Sequence, residues 1–361
     1  MGTVIVREST EFEKDLRRVV HTLGGFPWLN EGDSVLLKVS CNSGDCYPWT
    51  TSPELLETVA KLLRESGAGR LVVGEGSGLE YVYRGNHKPT PFDWRRKTTT
   101  GQLLEKNGLL QAAHASGCEV ILYEQTDYDR AFFKSYPDVE KPNWKDGVMV
   151  PTLLKEMDHI LYLPRISTHV LGGATLGLKI AVGFLREDSR WELHNFAKSF
   201  MWKCAEINAI PEIKQKLRMV LSDVHKIGTT IGPDKMLFGY EAEMNPRLIV
   251  GSTNVVSHDV VAYSLLMYAR RYLTPWYRKF DAYPHFSNPL NWGLVAMTSL
   301  LAGEFSRLRR YEGFCPMKRS TPLMNEIIRR GAEIFEDAAP ELILEGKNFP
   351  DRMKEILRGD G

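Results

Sequence analysis

Basic and imidazole side chains are concentrated between Leu163 and His194, and this stretch is the part of the sequence best suited to chemistry on an anion. The candidate residues in it are two cations, Arg165 and Lys179, and two imidazoles, His169 and His194. An imidazole can transfer a proton near neutral pH or bind a metal. We predict catalytic roles for His169, Lys179 and His194, with Arg165 holding negative charge. Structural roles are the alternative, because strand-end histidines are often only hydrogen-bonded and His194 has apolar neighbours.

The elements around these residues place them where α/β proteins bind ligands. Residues 159–163 form an apolar run typical of a buried strand, and Arg165 and Thr168 follow its end. Ligands of open α/β sheets lie beyond the carboxyl ends of strands. A helix is predicted over residues 174–185, so its free amides near Thr175 would attract a carboxylate or phosphate. Thr168 and Thr175 are therefore predicted to bind the anion.

Two loops that follow earlier strands add further candidates. A Gly-Glu-Gly-Ser-Gly turn begins at Gly74, and backbone amides without Cβ atoms nearby can approach an anion closely. Gly74, Gly76 and Ser77 are predicted to form such a cradle, with a plain tight turn as the equal alternative. Asn42 lies in a polar loop after the strand predicted over 33–40, and a simple turn would use the same residue types.

Histidines and a carboxylate near strand ends form the candidate metal ligands. Asp223 and His225 point to the same side of an extended strand. Imidazole with carboxylate suits zinc, nickel or iron. The hypothetical ligands of such a divalent metal are His169, His194, Asp223 and His225. Asp259 is interpreted instead as a first-turn acid that stabilises its own helix.

Composition excludes several classes of protein. Lysine and arginine number 46 against 45 acids, a net charge of +1, so we expect neither a nucleic-acid partner nor a membrane partner. The five cysteines contain no Cys-x-x-Cys pair, which argues against an iron–sulfur cluster within this chain. No residue run is long enough for a membrane span, and the first residues lack a signal-peptide pattern, so we expect a cytoplasmic protein.

Short apolar runs alternate with helical segments through the first half of the chain, which predicts an α/β fold with a mainly parallel, twisted sheet flanked by helices. The core is predicted over residues 1–272, as one unit or as two interlocked subdomains that meet near 150–165. Residues 273–361 are predicted to be a mixed or helical C-terminal extension. The aromatic-rich residues 126–150 are interpreted as a long excursion, and such loops are often lids or binding loops.

Several motifs in order resemble the domain of unknown function 362 family. The chain has lysine in a strand run, a Thr-Ser-Pro-Glu-Leu-Leu helix start and a glycine-rich turn. The central motifs follow, and later a Gly-Ser-Thr-Asn segment leads to Asp259. The matching pieces are Val35–Lys38, Thr51–Leu56, Val72–Gly78, Leu163–His169, Thr175–Lys179, Gly183, Asp223, Gly232–Pro233 and Gly251–Asp259. The resemblance covers roughly residues 30 to 270.

This chain departs from the family pattern in two respects. Family members commonly have lysine where this chain has Arg165 or Ser167, and asparagine where it has Ile180. Some members carry a ferredoxin module, of which the cysteine spacing here gives no sign. The relatives imply a redox partner protein, whereas the missing ferredoxin module argues against an electron-transfer role for this chain.

The order of His169, glycines, Lys179 and His194 also resembles nickel-dependent lactate racemase. In that family the lysine anchors a nickel pincer cofactor and a histidine binds the metal. The resemblance implies the same roles here and a cofactor-delivery partner protein. We carry over a geometry from that family and not an activity.

Two functional hypotheses follow. The first is an enzyme acting on a small carboxylate- or phosphate-bearing substrate, by metal-assisted proton transfer, isomerisation or redox chemistry. The second is a non-catalytic binder or carrier of an anionic metabolite, metal or cofactor. Turnover separates the two.

Overall fold

Buried apolar runs form the strands of one large sheet in this computed structural model. It describes residues 2–79, 81–82, 98–169, 172–195, 199–230, 232–235, 239–277, 321–337 and 339–359. Neighbouring strands in the sheet follow the order β12-β1-β11-β10-β7-β2-β3-β4, and β8 extends it by pairing with β10 and β9. A separate two-stranded sheet pairs β5 with β6.

The described elements alternate between strands and helices, with short 3-10 turns at Tyr123–Gln125, Ala181–Phe184, Ile207–Ala209 and Pro322–Met324. In chain order they are β1 (Thr3–Glu8), α1 (Phe12–Thr22), β2 (Ser34–Val39), α2 (Pro53–Glu65), β3 (Arg70–Glu75), α3 (Thr100–Lys106), α4 (Leu109–Ala115), β4 (Glu119–Leu122), β5 (Phe132–Ser135), β6 (Val148–Pro151), α5 (Leu153–Glu156), β7 (His159–Leu163), β8 (Ser167–His169), β9 (Gly173–Thr175), α6 (Gly177–Ile180), α7 (Glu187–Asn195), α8 (Phe200–Glu206), α9 (Pro211–Lys214), β10 (Leu217–Thr229), β11 (Tyr240–Ser252), α10 (Val255–Arg270), α11 (Glu326–Phe335), β12 (Glu341–Glu345) and α12 (Asp351–Arg358).

The sheet is covered on both faces, which is why its central strands are apolar throughout. Along β2, Val35 and Leu37 pack with α1 and α2 in one core, whereas Leu36 packs with Tyr162 in the opposite core. Strands β2, β3, β4, β7 and β10 pair in parallel, and β11 and β10 pair antiparallel. The predicted α/β class is confirmed.

The order of the strands creates a switch point between β2 and β7. After β2 the chain moves outward to β3 and β4, then returns to β7 and moves outward the other way to β10 and β11. The loops that follow β2 and β7 therefore leave the sheet in opposite directions. A crevice at such a point is the usual ligand position in open α/β sheets.

Three local predictions need correction. Residues 174–185 do not form one helix, because Gly173–Thr175 pairs with Ser167–His169 as a hairpin and α6 begins only at Gly177. Of the helix predicted over 192–209, the described part consists of the end of α7, helix α8 and a 3-10 turn at Ile207–Ala209. The excursion over 126–150 contains the β5–β6 hairpin and buries Phe132 and Trp144 in the core.

The C-terminal part of the chain adds to the same sheet. Strand β12 pairs in parallel with β1, between Thr3 and Arg7 on β1 and Glu341 and Glu345 on β12. Helices α11 and α12 supply the helical additions predicted from sequence.

Candidate functional site

Hydrogen bonds connect the loops after β2 and β7 at the switch point. Thr51 donates its hydroxyl proton to the carbonyl oxygen of Leu163. The amide of Ser40 donates to Thr51 Oγ1 at 2.8 Å, and the amide of Arg165 contacts Ser40 Oγ at 3.5 Å. Arg165 is thereby fixed at the end of β7 with only 2% of its surface exposed.

The β8–β9 hairpin carries the next polar residues, and alternation along the strands decides which of them share a face. Ser167 pairs with Thr175, and His169 lies two residues beyond Ser167, so these three side chains lie on one face. Thr168 points to the other face and donates its hydroxyl proton to the carbonyl oxygen of Thr230. The structure therefore separates Thr168 from Thr175, although both were predicted to bind the anion.

His169 is held as a neutral ring by its backbone and its surroundings. The amide of Gly172 donates to Nδ1 of His169 at 3.1 Å, so Nδ1 is an acceptor and the neutral ring carries its proton on Nε2. Burial lowers the pKa of His169 well below 6.5, and the nearby charges of Lys179, Arg165 and His194 lower it further. His169 is therefore a hydrogen-bond donor through Nε2 and a poor proton acceptor.

His194 has the opposite tautomer. Its Nδ1 lies 2.7 Å from the carbonyl oxygen of Arg190, and because a carbonyl only accepts, Nδ1 carries the proton. In a neutral ring the lone pair is then on Nε2. Both imidazoles contact Phe200, with ring centroids 6.1 Å away for His169 and 5.5 Å away for His194. The structure thus brings the two predicted catalytic histidines to one aromatic side chain.

Lys179 lies beside this pair on α6. A Cβ atom on Gly172 would lie 3.6 Å from Lys179 Cδ, and Gly172 also contacts the ring of His169 through its amide. The lysine is half-buried, and its charge acts on the pKa of His169 and of the Cys204 thiol. Three of the predicted residues, Arg165, His169 and Lys179, therefore lie close together.

The start of α6 is not an open anion site, which corrects the prediction made for the amides near Thr175. The amides of Gly177 and Leu178 donate to the carboxylate of Asp259 at 2.7 and 2.8 Å. Asp259 thus caps α6 rather than stabilising its own helix α10. It also contacts Nδ1 of His258 at 2.9 Å.

The contact between Asp259 and His258 belongs to a buried chain of hydrogen bonds, here called the relay, that reaches the end of β7. Nε2 of His258 lies 3.0 Å from Ser222 Oγ, and that hydroxyl donates to the carbonyl oxygen of Pro164 at 2.9 Å. The relay joins the residue before Arg165 to the helix that carries Lys179. It fixes the two cations of the site relative to each other.

The glycine-rich turn binds an arginine side chain and does not form an anion cradle. The amide of Gly76 donates to Glu75 Oε1 at 2.8 Å, and the amide of Ser77 donates to Thr100 Oγ1 at 3.1 Å. The carbonyl oxygens of Gly76 and Ser77 both accept from the guanidinium of Arg190. An anion at this turn would face carbonyl oxygens, and the amides of Gly76 and Ser77 already donate to other protein groups.

The other two predicted residues of this region are used internally as well. Gly74 lies within β3, where a Cβ atom would collide with Tyr123 Oη, so its role is close packing. Asn42 donates to Asp234 Oδ1 at 2.7 Å, and Tyr81 donates to the second oxygen of that carboxylate at 2.9 Å. These contacts join the loops that follow β2, β3 and β10.

A buried ion pair beneath the turn was missed from the sequence. Nζ of Lys38 donates to Glu75, and both side chains are almost wholly buried. Burial lowers the pKa of Lys38 and raises the pKa of Glu75, while each partner acts against that shift. The available signal was a lysine inside the apolar run of β2, because a buried ammonium requires a partner.

Asp223 and His225 are not brought to the histidine pair. Ser222 points towards α10, so Asp223 points to the opposite face of the sheet. There its carboxylate pairs with Arg247 at 2.8 Å. Arg247 also binds Glu54 of α2. Among the described residues, no group of three or more His, Cys, Asp and Glu side chains is arranged to hold a metal ion.

Comparisons with known proteins give one family. The family model for the domain of unknown function DUF362 matches residues 35–264. None of the curated proteins matches. The structure of the lactate racemase apoprotein from Thermoanaerobacterium thermosaccharolyticum is similar with a TM-score of 0.36 and 12% sequence identity, over 66% of this chain and 54% of that chain. The match thus spans about half the length of that protein. No helix in the described ranges has both the length and the apolar character needed to cross a bilayer.

Proposed function

This chain belongs to the DUF362 family, and from that premise we propose that it is an enzyme that transfers a proton on a small carboxylate- or phosphate-bearing substrate. The opposed tautomers of His169 and His194 carry this proposal. One neutral ring carries its proton on Nε2, and the other carries its lone pair on Nε2. A donor and an acceptor held near one another are the groups that general acid–base catalysis needs.

Arg165 and Lys179 supply the charge that an anionic substrate requires. Both lie close enough to His169 to lower its pKa. Because Arg165 is buried at the carboxyl end of β7, its guanidinium acts where water screens charge weakly. The two cations bind the anionic group of the substrate in this proposal.

The proposed step is removal and return of a proton at a carbon next to a carbonyl or carboxylate. His194 Nε2 takes the proton as the C–H bond breaks, and the electron pair delocalises onto the adjacent oxygen. His169 Nε2–H donates to that oxygen, and the nearby cations stabilise its negative charge. Return of the proton from His194 gives the isomer or the original substrate, so no oxidant or reductant is needed.

The described residues fit a zinc, nickel or iron site poorly. The acceptor atom of His169 is occupied by the amide of Gly172, and Asp223 is paired with Arg247 on the far face. Within the described ranges no three metal-ligating side chains stand together at the histidine pair, whereas protein sites usually supply three or more ligands. The proposed step therefore uses no metal.

Hydrogen exchange in D₂O tests the proposal directly. The protein is incubated with a panel of small carboxylates and phosphates that carry a C–H bond next to a carbonyl or carboxylate, and the loss of that proton signal is followed by NMR. We expect exchange with at least one compound, and a loss of about 100-fold or more in His194→Asn, as for removal of a general base.

A matched variant separates this effect from general damage. His225→Asn changes a half-buried histidine that is not among the groups shifting the pKa of His169, so exchange should be unchanged. Exchange that survives His194→Asn contradicts the proposal. Tight anion binding with no exchange on any compound supports the carrier hypothesis instead.

A further inference from the structure

The β8–β9 hairpin contains two buried hydroxyls, on Ser167 and Thr175, that have no hydrogen-bond partner within the described residues. We propose that Ser167 and Thr175 form a hydroxyl pair that donates to one oxygen of the substrate's oxyanion. This inference rests on the proposed function only for the identity of the substrate site, and it can be tested without turnover.

Register puts the two hydroxyls together. Ser167 lies directly opposite Thr175, and His169 follows on the same face opposite Gly173. Side chains at opposed positions of antiparallel strands have Cβ atoms roughly 5 Å apart. Two hydroxyls at this spacing can reach the same oxygen atom.

Burial without a partner is the observation that points to a ligand. Ser167 is 0% exposed and Thr175 is 6% exposed, yet within the described residues neither hydroxyl oxygen has a hydrogen-bond partner. A buried polar group left unsatisfied is unfavourable and rare. Thr168, between them in the same hairpin, shows the ordinary outcome, because its hydroxyl donates to the carbonyl of Thr230.

The surroundings of the pair favour an oxyanion. A Cβ atom on Gly228 would lie 3.0 Å from Ser167 Cβ and 3.1 Å from the ring of Trp49, so the indole packs beside Ser167. The ring limits access of water to the pair. His169 on the same face offers an Nε2–H donor, and Arg165 and Lys179 are its charged neighbours. Donors and cations without a carboxylate among these neighbours suit an anion.

The proposal predicts that removal of both hydroxyls raises the melting temperature without ligand and abolishes the stabilisation by anions. In Ser167→Ala/Thr175→Val two unsatisfied hydroxyls are replaced by apolar groups of similar size. The melting temperature without ligand should therefore rise, by roughly 2 °C. Inorganic phosphate and acetate at millimolar concentration should raise the melting temperature of the wild type by ligand linkage, and this shift should be lost in the double variant.

Thr168→Val is the matched control on the other face of the hairpin. It removes a hydroxyl that has a partner, so its melting temperature should fall while the anion-dependent shift stays. Whichever of phosphate and acetate gives the shift identifies the oxyanion. A double variant that is less stable than the wild type without ligand, or that keeps the full shift, overturns the proposal, as does a wild type that neither anion stabilises. Loss of binding together with absence of exchange in the wild type would contradict proton transfer and leave the hydroxyl pair supported.

Discussion

Arg190 and His194 lie one turn apart on α7, and the carbonyl oxygen of Arg190 accepts the proton of His194 Nδ1 at 2.7 Å. The guanidinium of the same arginine binds the carbonyls of Gly76 and Ser77, as well as Val182 at 3.1 Å. Arg190 therefore anchors α7 to the loop after β3 with its side chain and fixes the tautomer of His194 with its backbone. The position of His194, the proposed base, therefore depends on the loop that follows β3.

Arg190→Lys should weaken this anchor. A lysine ammonium is a point charge and cannot reproduce the planar set of donors, so buried carbonyls lose their partner. We expect the free energy of unfolding to fall by about 3 kcal/mol, with a reduced exchange rate, measured by urea denaturation and by the D₂O assay. Arg17→Lys at the surface should change neither quantity. Equal effects of the two substitutions would contradict the anchor.

Glu75→Gln should be strongly destabilising, because it leaves the Lys38 ammonium buried without its carboxylate. Breaking one partner of such a pair costs about 3–5 kcal/mol, whereas replacing both partners is often neutral. Lys38→Met/Glu75→Gln should therefore recover most of the stability lost in the single variant, as measured by urea denaturation. The exposed pair Lys61 and Glu13 serves as control, and Glu13→Gln should have little effect. A double variant less stable than Glu75→Gln would refute this account.

His169 should make stability depend on pH below neutrality. Its folded-state pKa is lowered well below 6.5, so between the two values the unfolded chain binds more protons than the native protein. Stability from this residue is then full above about pH 6.5 and is lost as pH falls towards the folded pKa, with a slope of at most about 1.4 kcal/mol per pH unit. Comparison of urea unfolding at pH 7.5 and 5.5 should show a smaller loss in His169→Asn than in the wild type. Equal losses would mean that the ring is protonated in the native state.

Asp259→Asn should loosen α6 and with it Lys179. The amide group cannot accept from all three of its neighbours, the amides of Gly177 and Leu178 and Nδ1 of His258. We expect a loss of about 3 kcal/mol in unfolding free energy and weaker anion binding. Asp351→Asn, at an exposed carboxylate on α12, should leave both unchanged. Unaltered anion binding in Asp259→Asn would show that the capping of α6 does not position the anion site.

The cysteines should differ sharply in reactivity. Burial raises the pKa of Cys41 and Cys204 to about 12 and that of Cys118 to about 11, whereas Cys46 is exposed. Since the thiolate is the reactive form, a thiol reagent at pH 8 should label the native protein once in a Cys315→Ser background. Intact mass gives the count, and Cys46→Ser should remove the label. A second rapid label would show that one of the buried thiols is accessible.

The sequence by itself determined the elements whose signals are local. The apolar runs of β2 and β7 predict buried strands, and Ser52 followed by Pro53 predicts the start of α2, where Ser52 Oγ accepts from the amide of Leu55. It also predicted the gathering of Arg165, His169, Lys179 and His194, because these residues follow one strand end within a short stretch of chain. Alternation of strands and helices was enough for the fold class.

Only the tertiary structure decided how the polar groups are used. Gly173–Thr175 is small and without periodicity, and it became a strand because β8 offered it partners. Lys38 pairs with a residue 37 positions away, and Asp259 caps a helix 82 positions before it. The tautomers of His169 and His194 depend on backbone groups whose directions follow from the folded chain. Such pairings leave no periodic pattern in sequence, since they are set by which strand and helix ends the sheet order brings together.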